Sequence, residues 1–190
     1  YMGHSQGGLN GALYLAIAND VPGGMLSGAG GGLDMSVELK KEPVDIAAPF
    51  AAVLGLTADD PLDRWHPALM LVETFIAPGD PVNYAPYWFA RPREGYAPKS
   101  VFLTVGLNDL YTPPELNFAL CTAGEVPILE PVAHPIEGID LLGLAPEIAP
   151  VRGNVAGGRA SAGLAQYADG DHFVIFDVPS AQQRYAKFLN

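Results

Sequence analysis

Leu9, Ala12, Leu13, Ala16 and Ile17 recur at i, i+3, i+4, i+7 and i+8, a spacing that lays one apolar stripe along a helix. The helix predicted from it runs from Gly7 to Asn19, and Asp20-Val21-Pro22 ends it. Gly8, Gly11 and Ala12 are small enough for that helix to lie close on a sheet. Elsewhere apolar residues come in short unbroken runs. Gly24-Met25-Leu26-Ser27 reads as a short buried strand. Ser100 to Val105, apolar and β-branched between Pro98 and Gly106, reads as a clearer one. Ser161 to Tyr167 is expected to be a last inner strand. Helices are predicted over 45–58 and 68–76, and from Pro113, as first helical residue, to about Ala123. Ser180 and Gln183 have the spacing of a capping box for a closing helix. The stretch from Pro78 to Pro98, with Tyr84, Tyr87, Trp88 and Phe89, shows no period, nor does 126–160. The resulting order is helix, strand, helices, strand, helix, strand, helix. Such alternation predicts an α/β fold, a parallel sheet with flanking helices, in a single domain over 1–190.

Composition narrows the function classes. The 190 residues carry 10 Lys and Arg against 21 Asp and Glu, a formal charge of −11. A phosphate backbone requires a cationic footprint, and the one adjacent basic pair, Lys40-Lys41, reads as a solvated surface pair. Nucleic acid and anionic membrane surfaces are therefore not expected partners. The 22 glycines and 18 prolines are nearly twice the usual share, which predicts many turns and excludes a helical bundle. No apolar run approaches the ~18 residues of a spanning helix. Cys121 is the single cysteine, so neither an intrachain disulfide nor a cysteine metal cluster is expected. No His-Glu-x-x-His and no close histidine spacing suggests a metal, and no cofactor is expected.

One motif carries chemistry. Gly3-His4-Ser5-Gln6-Gly7 fits G-x-S-x-G, in which a serine sits on a sharp strand-to-helix turn and glycines on both sides relieve clashes. The amphipathic helix that follows at once supplies the context this mechanism needs. Its N-terminal N–H groups and dipole favour a developing oxyanion. A serine hydroxyl requires a base, and the base requires an orienting carboxylate. Of four histidines, His4 lies inside the motif and is expected to pack or support. His66 and His134 each precede a proline and read as turn or surface residues. His172 stands after the last inner strand and before the last helix, where α/β sites are assembled, so it is the expected base. Asp109 stands just past strand 100–105 and is the expected acid. Glu137, Asp140, Asp80 and Asp34 are rivals in less defined sequence. Asp169 and Asp171 lie too near His172 and read as turn formers. Gly28-Ala29-Gly30-Gly31-Gly32 could suggest phosphate cradling, but no Gly-Lys-Ser/Thr ending follows. A flexible turn after a strand is the expectation there.

With Gly3-His4-Ser5-Gln6-Gly7-Gly8, Val105-Gly106-Leu107-Asn108-Asp109 and Asp171-His172-Phe173 in view, the chain resembles the C-terminal half of a bacterial α/β-hydrolase of the lipase/esterase type. Ser27-Gly28-Ala29-Gly30-Gly31 and Asp80-Pro81-Val82-Asn83-Tyr84-Ala85-Pro86 are similar to segments of large bacterial hydrolases. The resemblance covers nearly the whole chain. It implies Ser5 as nucleophile, Asp109 as acid, His172 as base and the Gln6 N–H as one oxyanion donor. It also implies a cap inserted within 29–99, and an exported protein, secreted or periplasmic, whose leader would precede Tyr1. The family places several strands before its elbow, whereas only Tyr1 and Met2 precede Gly3 here. The strand entering the elbow and the loop giving a second oxyanion donor are therefore expected to be missing. The open sheet edge that results is expected to be covered by an upstream segment or a second copy.

The expected reaction is cleavage of a neutral small-molecule or lipid ester through an acyl-enzyme on Ser5. Tyr84, Trp88 and Phe89, with Tyr87, Trp65 and Phe75, are candidates to line an acyl pocket, with ordinary core packing as the competing expectation. Two alternatives stay open. The same triad serves peptidases, thioesterases and acyltransferases. A non-catalytic α/β module would retain the residues without using them.

Overall fold

The computed structural model describes residues 1–57 and 59–189. Four strands form one sheet: β1 (Met2–His4), β2 (Gly23–Ser27), β3 (Ser100–Gly106) and β4 (Ala162–Tyr167), in that spatial order. All three pairings are parallel, with Met2 opposite Met25, Leu26 opposite Leu103 and Leu103 opposite Leu164. Parallel neighbours require crossovers, and helices supply them: α1 (Gln6–Ile17), α2 (Met35–Leu39), α3 (Ala47–Leu54), α4 (Pro67–Ile76), α5 (Pro114–Gly124) and α6 (Glu137–Leu141). After β4 come α7 (Val174–Asp177) and α8 (Pro179–Leu189).

Strand alternation divides the core between the two sheet faces. Leu26, Val101, Leu103, Val105, Ala162 and Leu164 join Ala12, Leu15 and Ala16 of α1 and Leu120 and Cys121 of α5 in the larger cluster. Met25, Phe102 and Ala165 point the other way, to Ile175, Ala181 and the ring of Phe188. Burial on both faces explains why the strands read as continuous apolar runs.

Several boundaries differ from expectation, each for a local reason. Residues 2–4 do form a strand leading into the Ser5 turn, although it was expected to be missing; the Tyr1 carbonyl accepts the Met25 N–H at 2.9 Å. In α1 the buried face is Gly8, Gly11, Ala12, Leu15 and Ala16, while Ile17 is half exposed. The contact follows the glycines, because a Cβ at Gly8 would lie 2.9 Å from that of Ala29. Helix α5 starts at Pro114, with Pro113 in the capping position. Ser180 lies within α8, whose first residue is Pro179, so it does not cap it. Residues 78–98 wind through single 3-10 turns, and 126–160 contains α6. The predicted helix over 45–58 is shorter, and its last position, 58, lies outside the described residues.

Candidate active site

The turn from β1 into α1 has a defined geometry. Ser5 takes φ 55° and ψ −124°, a region that non-glycine residues occupy at a cost of ~1–3 kcal/mol. Its N–H donates to the Ser27 carbonyl at 2.9 Å, and its own carbonyl accepts from Gly8 and Leu9 to start α1. The N–H groups of Gln6 and Gly7 have no acceptor among the described residues, as the first turn of a helix dictates. The turn is tight on one side only. A Cβ at Gly3 would stand 2.2 Å from the Gly7 carbonyl oxygen, whereas one at Gly7 would meet nothing nearer than the Tyr1 hydroxyl at 4.0 Å. The expectation that both flanking glycines relieve clashes thus holds for Gly3 and not for Gly7.

Asp109 and His172 come from the ends of β3 and β4. The loop after β4 folds down onto the end of β3, with the Asn108 N–H donating to the Gly170 carbonyl at 2.8 Å and the Leu107 N–H to Tyr167 at 3.0 Å. Only glycine fits at 106, where a Cβ would be 2.2 Å from the Asp171 carbonyl oxygen. His172 Nδ1 and Asp109 Oδ2 are then 2.8 Å apart, with the two residues 3% and 1% exposed. The second oxygen, Oδ1, accepts the N–H groups of Tyr111 and Thr112, both at 2.8 Å. Tyr111 stacks on the His172 ring, 4.7 Å between centroids and 17° from parallel. Nε2 of His172 has no hydrogen bond among the described residues.

His172 lies beside the Ser5 turn. Its Cε1 would be 2.9 Å from a Cβ at Gly28, the residue after the Ser27 that accepts the Ser5 N–H. Its ring centroid is 4.6 Å from that of His4. His4 also contacts the rings of Phe173 and Phe176. Desolvation first, and then the neighbouring His172, push the His4 pKa below the usual imidazole value, against a smaller opposing pull from Asp109.

A cleft of about 360 Å³ opens beside the turn, lined by Gln6, Leu9, Leu33, Ile46, Tyr111 and Leu116 among others, with Lys40 its single cation. None of the six aromatic residues expected in a pocket borders it. Trp88 is fully buried, donating its indole N–H to the Ala12 carbonyl at 2.9 Å, and Phe89 is 4% exposed in the same core. Tyr84 packs against that core and donates its hydroxyl to the Pro78 carbonyl. Trp88 and Phe89 are core residues, and Tyr84 flanks them. Trp65 and Phe75 are exposed. Of the cleft-lining residues within 33–46, Leu33, Ser36, Pro43 and Val44 carry no periodic or chemical signature in the sequence.

No protein-family model matches the sequence, and no curated protein matches it. Solved structures do. Acetyl xylan esterase 1 from Thermoanaerobacterium sp. JW/SL YS485 aligns with a TM-score of 0.55 and 17% identity, over 100% of this chain and 45% of that one. Uncomplexed Pyrococcus horikoshii acylaminoacyl peptidase aligns with a TM-score of 0.55 and 14% identity, over 99% of this chain and 22% of that one. Its orthorhombic crystal form gives 0.52 and 12%, over 97% and 21%. The parallel four-stranded sheet with flanking helices corresponds to part of an α/β-hydrolase fold. The chain spans less than half the length of each of these proteins.

Within this α/β-hydrolase fold the other candidates have structural work. His66 caps α4, accepting the Ala68 N–H at 3.1 Å. His134 stacks on Phe118, and its backbone N–H donates to Gln166. Asp171 forms a turn by accepting the Phe173 N–H. Asp140 and Glu137 sit in the first turn of α6. Asp80, fully buried, ties down the end of the glycine-rich turn: its carboxylate accepts the N–H groups of Gly32, Leu33 and Val82. An anion does occupy that cradle of N–H groups, and it belongs to the chain itself. Among the described residues no group of three His, Cys, Asp or Glu side chains could hold a metal ion. No described helix is long and apolar enough to cross a membrane.

Proposed function

We propose that this chain carries a serine hydrolase site that cleaves neutral carboxylic esters. One observation supports it above the rest: a buried Asp109–His172 pair beside a serine held at positive φ on a strand-to-helix turn. In this reading Asp109 accepts from Nδ1–H and leaves Nε2 free to take the Ser5 proton. The Ser5 oxygen attacks the ester carbonyl, and the Gln6 N–H donates to the developing oxyanion. His172 then protonates the departing alcohol. Water, deprotonated by the same nitrogen, attacks the acyl-enzyme and returns Ser5 to its hydroxyl form. The apolar walls of the cleft, Leu9, Leu33, Ile46 and Leu116, suit an uncharged acyl group.

The fold neighbours include an esterase and a peptidase, so the bond cleaved is decided by assay. A panel of p-nitrophenyl esters, thioesters and amides separates the classes. The deciding experiment for the site is labelling by a fluorophosphonate ester probe. Wild type is expected to be labelled and Ser5→Ala not; equal labelling of the two would overturn the assignment. Association along the outer edge of β1 belongs to the same proposal, because β1 is an edge strand and Met2 is 53% exposed there. Sedimentation velocity across a concentration series tests it.

A further inference from the structure

A second cavity lies on the opposite sheet face from α1, remote from Ser5. Its floor is Phe102 of β3 and Leu129, both 2% exposed, and its walls include Pro150, Val151 and Phe188. Phe188 stacks on Phe102 with centroids 5.3 Å apart. Two cations, Arg184 and Lys187, line the same cavity. They are three residues apart on α8, the spacing that places side chains on one helix face. Neither has a carboxylate within salt-bridge distance among the described residues. Arg184 is oriented by one donated bond, to the Glu130 carbonyl at 2.9 Å, which leaves most of its five donors available.

In a chain with 10 basic and 21 acidic residues, two cations beside an apolar cavity with no carboxylate paired to either among the described residues form a local exception. We infer that this cavity binds a small monocarboxylate, its apolar tail between Phe102, Leu129 and Phe188 and its carboxylate on Arg184 and Lys187. Size sets the tail. The cavity measures about 150 Å³, and a dry apolar void of roughly that volume holds a benzene-sized group. A tail of about six carbons fits that room, so hexanoate is the appropriate probe. A guanidinium fork suits a planar carboxylate better than it suits an alcohol or a neutral amide. This site is independent of the hydrolase proposal, since none of its lining residues borders the cleft beside Ser5.

The test is calorimetric titration of the whole chain with hexanoate, hexanol and acetate. Hexanoate is expected to bind about ten-fold more tightly than hexanol, as expected for hydrogen bonds to charged groups, and acetate more weakly still for want of a tail. Lys187→Gln, at an exposed position, and Arg184→Gln should each weaken hexanoate while leaving hexanol unchanged. Ala149→Trp, which fills the cavity from its wall, should abolish both, with a thermal melt confirming that the variant is folded. No hexanoate binding, equal affinity for hexanol and hexanoate, or hexanoate binding that survives Ala149→Trp in a folded protein would each overturn the inference. Survival would place the ligand elsewhere, including the cleft beside Ser5, and leave the labelling experiment untouched.

Discussion

The Asp109 carboxylate divides its two oxygens between two tasks: Oδ2 meets His172 Nδ1 at 2.8 Å, while Oδ1 accepts the N–H groups of Tyr111 and Thr112. An amide at 109 can keep only one of these arrangements. With its oxygen on the two N–H groups, its NH₂ must donate to Nδ1, which moves the imidazole proton to Nε2. That is the wrong tautomer for a base acting through Nε2. Asp109→Asn is therefore expected to leave the fold intact and to lower kcat for ester hydrolysis by about 10³- to 10⁴-fold, as in serine proteases. Steady-state kinetics with a p-nitrophenyl ester, alongside a thermal melt, checks both halves. Retained kcat would show that the pair is structural.

The one-sided crowding of the Ser5 turn gives a paired prediction. Gly3→Ala places a methyl group 2.2 Å from the Gly7 carbonyl oxygen, and overpacking of this kind costs about 1–3 kcal/mol. Gly7→Ala meets open space and replaces a helical glycine, a gain of up to ~1 kcal/mol. Urea denaturation should move in opposite directions for the two. Equal destabilisation would mean that both flanks of the motif are constrained.

Asp80 supports the glycine-rich turn from within. Replacing it with asparagine removes the charge and leaves one oxygen for three N–H donors, so the Leu33 N–H, bonded to Oδ2, loses its acceptor. A fully buried donor left unpaired costs about 1–3 kcal/mol, and this one is part-buried, so about 1 kcal/mol is expected. Asp80→Asn should lower the denaturation midpoint by that amount with no change in the slope. A variant as stable as wild type would show that the carboxylate is dispensable to the loop.

How much of this was legible before the structure depends on which physical signal each residue left. Asp109 and His172 are legible because each follows an apolar β-branched or inner-strand run, and strand ends are where parallel sheets gather side chains. Strands β2, β3 and β4 announced themselves through burial on both faces. By contrast, β1 is three residues long, too short for any period to show. Trp88 and Phe89 were candidates for a pocket because an aromatic residue in irregular sequence looks the same whether it lines a cavity or fills the core. The indole N–H bond to Ala12 joins residues 76 positions apart, and nothing local reports it. The shift of the α1 stripe from Ile17 to Leu15 had a local sign in the small residues Gly8, Gly11 and Ala12, which apolar periodicity alone does not weigh. Close approach at Gly8 and Gly11, a tertiary contact, outweighed the count of large apolar side chains.

His4 makes a prediction about pH. Its Nδ1 is 3.4 Å from the Ser27 hydroxyl, and its Nε2 is buried with no partner among the described residues. Protonation would place an N–H at each nitrogen, one of them with nothing to accept it, and would set a positive charge 4.6 Å from the His172 ring. Phe173 and Phe176 offer no compensating charge, and the attraction of Asp109 is the smallest of the three influences on the group. The folded-state pKa is therefore lowered from its ordinary 6.5. Below that value the unfolded chain binds a proton that the folded chain does not, so this residue's contribution to stability declines as pH falls from 6.5 toward the lowered pKa. Beneath the lowered pKa the decline stops. Chemical denaturation of wild type and His4→Gln across this range should give a stability difference that shifts in favour of the variant as pH falls below 6.5. A difference independent of pH would show that His4 titrates in the folded protein as it does in the unfolded chain.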